Sequence, residues 1–150
     1  MKSKSKNYAA TVIGLILSAG CGETSAPQRG TAGMISRQNV QEMFDETRAK
    51  AKWRIDDVCC WGYFFTDYDR LKLMNAMKVL EGKGYRVVGI MEPSPQDDDQ
   101  RLLMLHVEKD EVHTVESLLA RNDELYGVAR TLGLRSYDGM DVGPVNSGRK

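Results

Sequence analysis

The chain is short of the residues that catalytic and metal-binding sequences display. Its 150 residues include two histidines and three cysteines. His106 and His113 lie seven apart, with no third ligand at a spacing such as His-x-x-x-His. They read either as a metal or general-base pair or as partly exposed side chains without a task. Three cysteines are too few for a disulfide framework. Cys59 and Cys60 are neighbours, and on a strand neighbours point to opposite faces, so they cannot easily grip one ion. That pair is open to two readings: a strained neighbour disulfide or redox site, or two small apolar residues packed on either side of a sheet. There is no Gly-x-Ser-x-Gly elbow for a serine nucleophile. Gly82-Lys83-Gly84 follows a helical stretch instead of preceding one, which marks a helix stop and not a phosphate loop. Asp97-Asp98-Asp99 lacks the alternating ligands and distal glutamate of a calcium loop, and reads as a solvated hairpin loop. Neither sign of charge dominates, with 21 basic and 21 acidic residues, so the basic face that nucleic acid requires is not expected. No apolar run approaches the ~20 residues of a membrane-spanning helix. A catalyst, a cofactor, a metal and a small-molecule substrate are accordingly not expected.

What is present begins at the N-terminus. Lys2, Lys4 and Lys6 make a basic head, residues 8–19 are uncharged and mostly apolar, and Leu17-Ser18-Ala19-Gly20 ends in small residues just before Cys21. A positive head, a short apolar run and a small-residue cleavage site are the parts of a secretory signal. With a cysteine directly after it, this stretch resembles a bacterial lipoprotein signal. The resemblance implies removal of residues 1–20, lipidation of Cys21, and anchoring on the periplasmic side of a membrane. A soluble secreted protein, or a cytoplasmic one that starts at Met34, are the alternatives. Residues 21–35, polar and rich in small residues, then serve as a tether. Removing residues 1–20 takes three lysines and no acid, leaving 18 basic against 21 acidic residues, or −3.

The remainder, residues 36–145, is enough for one domain with a modest core, followed by a polar tail at 146–150. Ser36 is placed to cap a helix running to about residue 51, with Val40, Met43, Phe44 and Thr47 on one face. Residues 58–65 are dense in β-branched, aromatic and cysteine side chains and predict a buried strand. Asp67 is the expected cap of a helix over 68–81, with Leu71, Met74, Ala76, Met77 and Leu80 as its apolar stripe. Strands are predicted at 85–91 and 101–109, joined by the turn at 93–99 into a hairpin. Thr114 or the residues near it open a long helix to Leu132, closed by Gly133, and 136–142 makes a short last strand. The order is an extra N-terminal helix followed by βαββαβ. This predicts an α+β fold, a ferredoxin-like sandwich with a four-stranded antiparallel sheet and both main helices on one face. The leading helix is expected to cover part of the other.

On the first strand Trp61, Tyr63 and Phe65 alternate onto one face, and Val58, Cys60, Gly62 and Phe64 onto the other. Two roles are open for the rings: core beneath the helices, or anchors for a partner on the exposed face. Stacking of single-stranded RNA on such aromatics would call for a basic-Gly-aromatic run on the third strand, which Arg101-Leu102-Leu103-Met104 does not supply.

With the elements placed, residues 58–145 resemble the regulator of ribonuclease E activity B family (RraB-like). The likeness rests on Trp61-Gly62-Tyr63-Phe64-Phe65, on Gly84-Tyr85-Arg86-Val87, and on Glu116-Ser117-Leu118-Leu119-Ala120-Arg121-Asn122 with Leu125. It is most specific at Tyr137-Asp138-Gly139-Met140-Asp141-Val142-Gly143-Pro144. The resemblance implies a ferredoxin-like domain that works by binding protein without catalysis of its own; the family's namesake binds ribonuclease E and inhibits its RNA cleavage. Two functions follow as expectations. One is a membrane-tethered binding domain, with Trp61, Tyr63, Asp138, Gly139 and Asp141 as the candidate contact residues. The other is a cytosolic modulator of ribonuclease E.

Overall fold

The computed structural model describes residues 34–145. The leader, Cys21, most of the tether and the tail at 146–150 lie outside the described residues. Seven elements follow one another: α1 (Arg37–Lys50), β1 (Cys59–Asp67), α2 (Arg70–Gly82), β2 (Arg86–Met91), β3 (Leu103–Glu111), α3 (Val115–Thr131) and β4 (Ser136–Pro144). The four strands form one sheet in the order β2-β3-β1-β4, every neighbouring pair antiparallel. This is the expected ferredoxin-like arrangement, and β1 and β3 occupy its centre.

Local chemistry sets the helix starts. Ser36 caps α1 and Thr114 caps α3, each in a reciprocal box with the residue three places on, Asn39 and Ser117. α2 starts two residues later than the sequence suggested. Its cap is Asp69, whose carboxylate accepts from the Leu71 amide at 2.8 Å. The expected cap, Asp67, instead ends β1, and its carboxylate accepts from the Asp69 and Arg135 amides at 2.8 Å each. The buried stripe also differs from the expected one. Leu73, Ala76 and Leu80 are the buried residues of α2, while Leu71 is 73% exposed and Met74 also faces solvent.

The core is laid on one side of the sheet. Cys59, Trp61, Tyr63 and Phe65 of β1 and Leu103, Leu105 and Val107 of β3 all point into it. Leu73 and Leu80 of α2 and Leu118, Leu125 and Ala129 of α3 close over them. The leading helix does not cover the other face, contrary to expectation. α1 packs beside α3 in the same layer and sets Phe44 against Trp61, ring centroids 6.1 Å apart. Its stripe of Val40, Met43, Phe44 and Thr47 is fully used there. Ile35 donates its amide to the Tyr126 hydroxyl of α3 at 3.1 Å, and Arg37 pairs with Glu116 at the start of α3, so both ends of this contact are pinned.

β4 carries a bulge. Phe64 pairs with Gly139 and Phe65 with Tyr137, which leaves Asp138 as the extra residue. Gly139 sits at φ 113, where a side chain is strained, and the position its Cβ would take is 3.6 Å from Ile35.

Because Phe44 is wholly buried against Trp61, Phe44→Ala is expected to lower the unfolding free energy by about 3–5 kcal/mol. Urea unfolding followed by tryptophan fluorescence measures this. A loss below about 1 kcal/mol would show α1 to be an accessory and not a part of the core layer.

Candidate functional site

The strand alternation that builds the core also defines the opposite face, over which no described helix lies. From β1 it receives Cys60, Gly62, Phe64 and Thr66. The register places Asp110, Glu108, His106 and Met104 of β3 beside them, and Gly143, Asp141 and Gly139 of β4 on the other flank. Arg86 joins from β2, opposite Glu108.

These side chains form one connected polar surface. Arg86 Nη2 donates to Glu108 Oε2 and to Asp110 Oδ1, both at 3.1 Å, and lies 3.5 Å from the Cys60 sulfur. His106 stacks on Phe64 with centroids 4.5 Å apart and an interplanar angle of 23°, and its Nε2 is 3.8 Å from Glu108 Oε1. Asp141 leans over the middle of β1. A Cβ on Gly62 would meet Asp141 Oδ1 at 2.2 Å and His106 Nε2 at 2.8 Å, so only glycine allows that carboxylate and imidazole to converge there. Burial raises the Asp141 carboxyl above its ordinary range; the nearby His106 opposes the rise and Glu108 adds to it.

The candidate contact residues named from sequence separate. Trp61 and Tyr63 are 0% exposed and belong to the core beneath the helices, so they are not surface anchors in this conformation. Asp138 is exposed at the bulge, where the Thr66 hydroxyl donates to it at 3.2 Å. Gly139 is buried and serves the backbone, whereas Asp141 is half-buried on the open face. Cys21 lies outside the described residues. Arg86, His106, Glu108 and Asp110 were not anticipated. The signal was available in β3, where apolar residues at 103, 105 and 107 alternate with Met104, His106 and Glu108.

Cys59 and Cys60 are free thiols. Cys59 points into the core and Cys60 to the open face, as the packing reading expected. Burial, followed by nearby carboxylates, raises both thiols, that of Cys60 to about 12. Neither is a reactive thiolate at neutral pH.

A second polar group lies at the edge of the core, around a cleft of about 380 Å³ lined by Glu111, His113, Ser117 and Arg121. His113 is not the partly exposed side chain of one of the two readings; it is 5% exposed and set edge-on to Trp61. Its Nε2 is 2.7 Å from Glu111 Oε2 and 3.2 Å from the Tyr63 hydroxyl, and its Nδ1 is 2.9 Å from Ser117 Oγ. A serine, a histidine and a carboxylate in line resemble a nucleophilic triad, but each has a structural task. Ser117 Oγ accepts from the Thr114 amide at 2.9 Å as half of the α3 capping box. Glu111 is held by Arg121 at 2.8 Å and Lys109 at 3.1 Å. The group clasps the end of β3 to α3. Among the described residues no set of three or more histidine, cysteine or carboxylate side chains is arranged to hold a metal ion.

A family model described as Regulator of ribonuclease activity B matches residues 38–142, a span that takes in every residue of the open face from Cys60 to Asp141. No curated protein matches the chain.

The clasp gives a pH signature. Burial holds His113 below its ordinary 6.5, against the pull of Glu111 in the other direction. The unfolded chain therefore takes up this proton first, so stability is full above about pH 6.5 and falls as the pH drops below it. The slope is expected to be no steeper than about 1.4 kcal/mol per pH unit, the limit for one proton. Denaturation midpoints between about pH 7.5 and 5.5 check this. His113→Gln should flatten the dependence, and an unchanged slope in that variant would assign it to other groups.

Proposed function

This chain belongs to the Regulator of ribonuclease activity B family, and we propose that it regulates by holding another protein against the open face of its sheet. The family is one of regulators. The observation that carries the reading is geometric: all three described helices lie on one side of the sheet, and the other side gathers Arg86, His106, Glu108, Asp110 and Asp141 around Gly62. Such a surface is polar, shaped and open, which suits a reversible protein contact.

The finer reading adds a location. With residues 1–20 removed and Cys21 lipidated, the domain would be tethered to the periplasmic side of a bacterial membrane. Its partner would then be a protein within reach of that surface. A cytosolic modulator of ribonuclease E is the second reading. What favours it is the description of the family itself, which names ribonuclease activity as what is regulated.

Two measurements test this. A photo-crosslinking residue at Gly143, where a side chain meets nothing within 4 Å, should trap a specific protein in cells, and the same residue at the exposed Lys78 of α2 should not. Equal trapping at both positions, or at neither, would remove the open face as the contact surface. Mass spectrometry of the native N-terminus should find an acylated Cys21. An intact Met1, or a chain starting at Met34, would place the protein on the cytosolic reading and make binding to purified ribonuclease E the expected result.

A further inference from the structure

We infer that the outer side of α2 seats on an anionic bilayer, through exposed apolar side chains set among unpaired cations, and so turns the open face of the sheet away from the membrane. This rests on the reading that Cys21 tethers the domain to a membrane, and it adds how the tethered domain is oriented.

Apolar exposure is the first ground. Tyr68 is 43% exposed, Leu71 73% and Met74 39%, all at or just before the start of one helix. Leu73, Ala76 and Leu80 face the sheet, so Leu71, Met74, Asn75 and Lys78, at helical spacing, make up the side of α2 turned away from it. All four are exposed. Tyr68 lies just ahead of the cap Asp69, its ring flanked by the guanidinium groups of Arg101 and Arg135 at 5.2 and 4.9 Å. An aromatic ring with a polar hydroxyl and cations beside it suits the boundary between lipid headgroups and acyl chains.

Charge complementarity is the second ground. Most described lysines and arginines are held in ion pairs; Lys52, Lys72, Lys78, Arg130 and Arg135 are not. All of these but Lys52 gather around α2. Lys72 and Lys78 are on the helix, Arg130 is in the last turn of α3 and Arg135 lies just beyond it. The Lys72 ammonium donates to the Gly133 carbonyl at 3.0 Å, which sets the start of α2 beside the end of α3. The carboxylates that touch this region are engaged: Asp69 caps α2, Glu92 holds Arg70, and Asp99 accepts from the Tyr68 hydroxyl. Unpaired cations beside exposed apolar groups are the chemistry of a surface that meets anionic lipid. An apolar protein partner would instead desolvate these cations without supplying a counter-charge. The open face, on the other side of the sheet, carries more carboxylates than cations, so the same lipid repels it. A tether over residues 22–33 would keep the domain within a few nanometres of the bilayer, where a weak contact is enough to orient it.

The test uses the native acylated chain carrying Asn75→Cys, labelled there with the polarity-sensitive fluorophore NBD. Cys59 and Cys60, whose thiols are raised by burial, take up little label. The chain is reconstituted into vesicles of phosphatidylethanolamine with phosphatidylglycerol, and in parallel into phosphatidylcholine alone. The emission should brighten and move to shorter wavelength in the anionic vesicles only, and a label at Gly143→Cys on the open face should do so in neither. Lys72→Gln with Lys78→Gln should lower the ratio of seated to free domain by about tenfold or more, each cation near an anionic surface being worth about fivefold. Lys52→Gln, at the unpaired cation away from α2, should leave the ratio within about twofold. Circular dichroism establishes that each variant is folded. An equal shift in phosphatidylcholine, an equal shift at Gly143, or an unchanged ratio in the double lysine variant overturns the inference. A shift that appears without lipid and grows with protein concentration would make a second copy the occupant and overturn it too. No shift from a chain with acylated Cys21 sinks this inference and leaves the tether standing. A native chain without the acyl group removes the tethered reading and this inference with it.

Discussion

The fold depends on one strand having to bury three large rings on the same side. Trp61, Tyr63 and Phe65 alternate along β1 and each is wholly removed from solvent. Burial of that much apolar surface is the largest stabilising contribution a small domain has. It is achieved only if every helix comes to that side: α2 and α3 over the centre, and α1 next to α3 with Phe44 on Trp61. The same period of two then fixes what remains. Cys60, Gly62, Phe64 and Thr66 must face away, and the antiparallel register assigns their neighbours on β3 and β4. The open face is a consequence of the core.

The two polar groups of the domain differ in how far their charges are matched. Around Glu111 the carboxylate meets Lys109, Arg121 and His113, and Tyr85 lies between Lys109 and Arg121, ring to cation, at 4.9 and 5.8 Å. Glu124 also pairs with Arg121, so two carboxylates meet two cations there, and the hydroxyls of Tyr63, Tyr85 and Ser117 are engaged, which helps a buried polar group hold elements together. On the open face carboxylates exceed cations, and Asp141 is partly desolvated with the His106 imidazole converging on it over Gly62.

Much of this was legible in the sequence because it rests on local signals. The alternation of β1, the caps at Ser36 and Thr114 and the glycine closing α3 each follow from a few adjacent residues. The order of elements then left few topologies, and the ferredoxin-like one is observed. What was missed depends on contacts far apart in the chain. Asp67 and Asp69 are both competent caps, and the choice falls to Asp69 because the Asp67 carboxylate also serves the Arg135 amide, 68 residues away. The face of α2 that meets the sheet is likewise set by packing, which buries Leu73, Ala76 and Leu80 and leaves Leu71 and Met74 to solvent. Likewise the two faces of β1 were readable, but not which of them the helices would take. The approach of Asp141 to Gly62 exists only through the β1–β4 register, shifted by the bulge at Asp138.

The cysteine pair bears on the compartment in a way that composition does not reveal. Free thiols weigh against an oxidising environment when they are able to react. Here the sheet holds Cys59 and Cys60 on opposite faces, so a bond between these neighbours would require the strand to break its pleat. Burial then raises both thiols, leaving little thiolate at neutral pH to be oxidised or exchanged. Thiols disarmed by their own strand are tolerable on either side of a membrane. The objection they raise to export therefore loses most of its weight, and the choice between compartments passes back to the chemistry of Cys21.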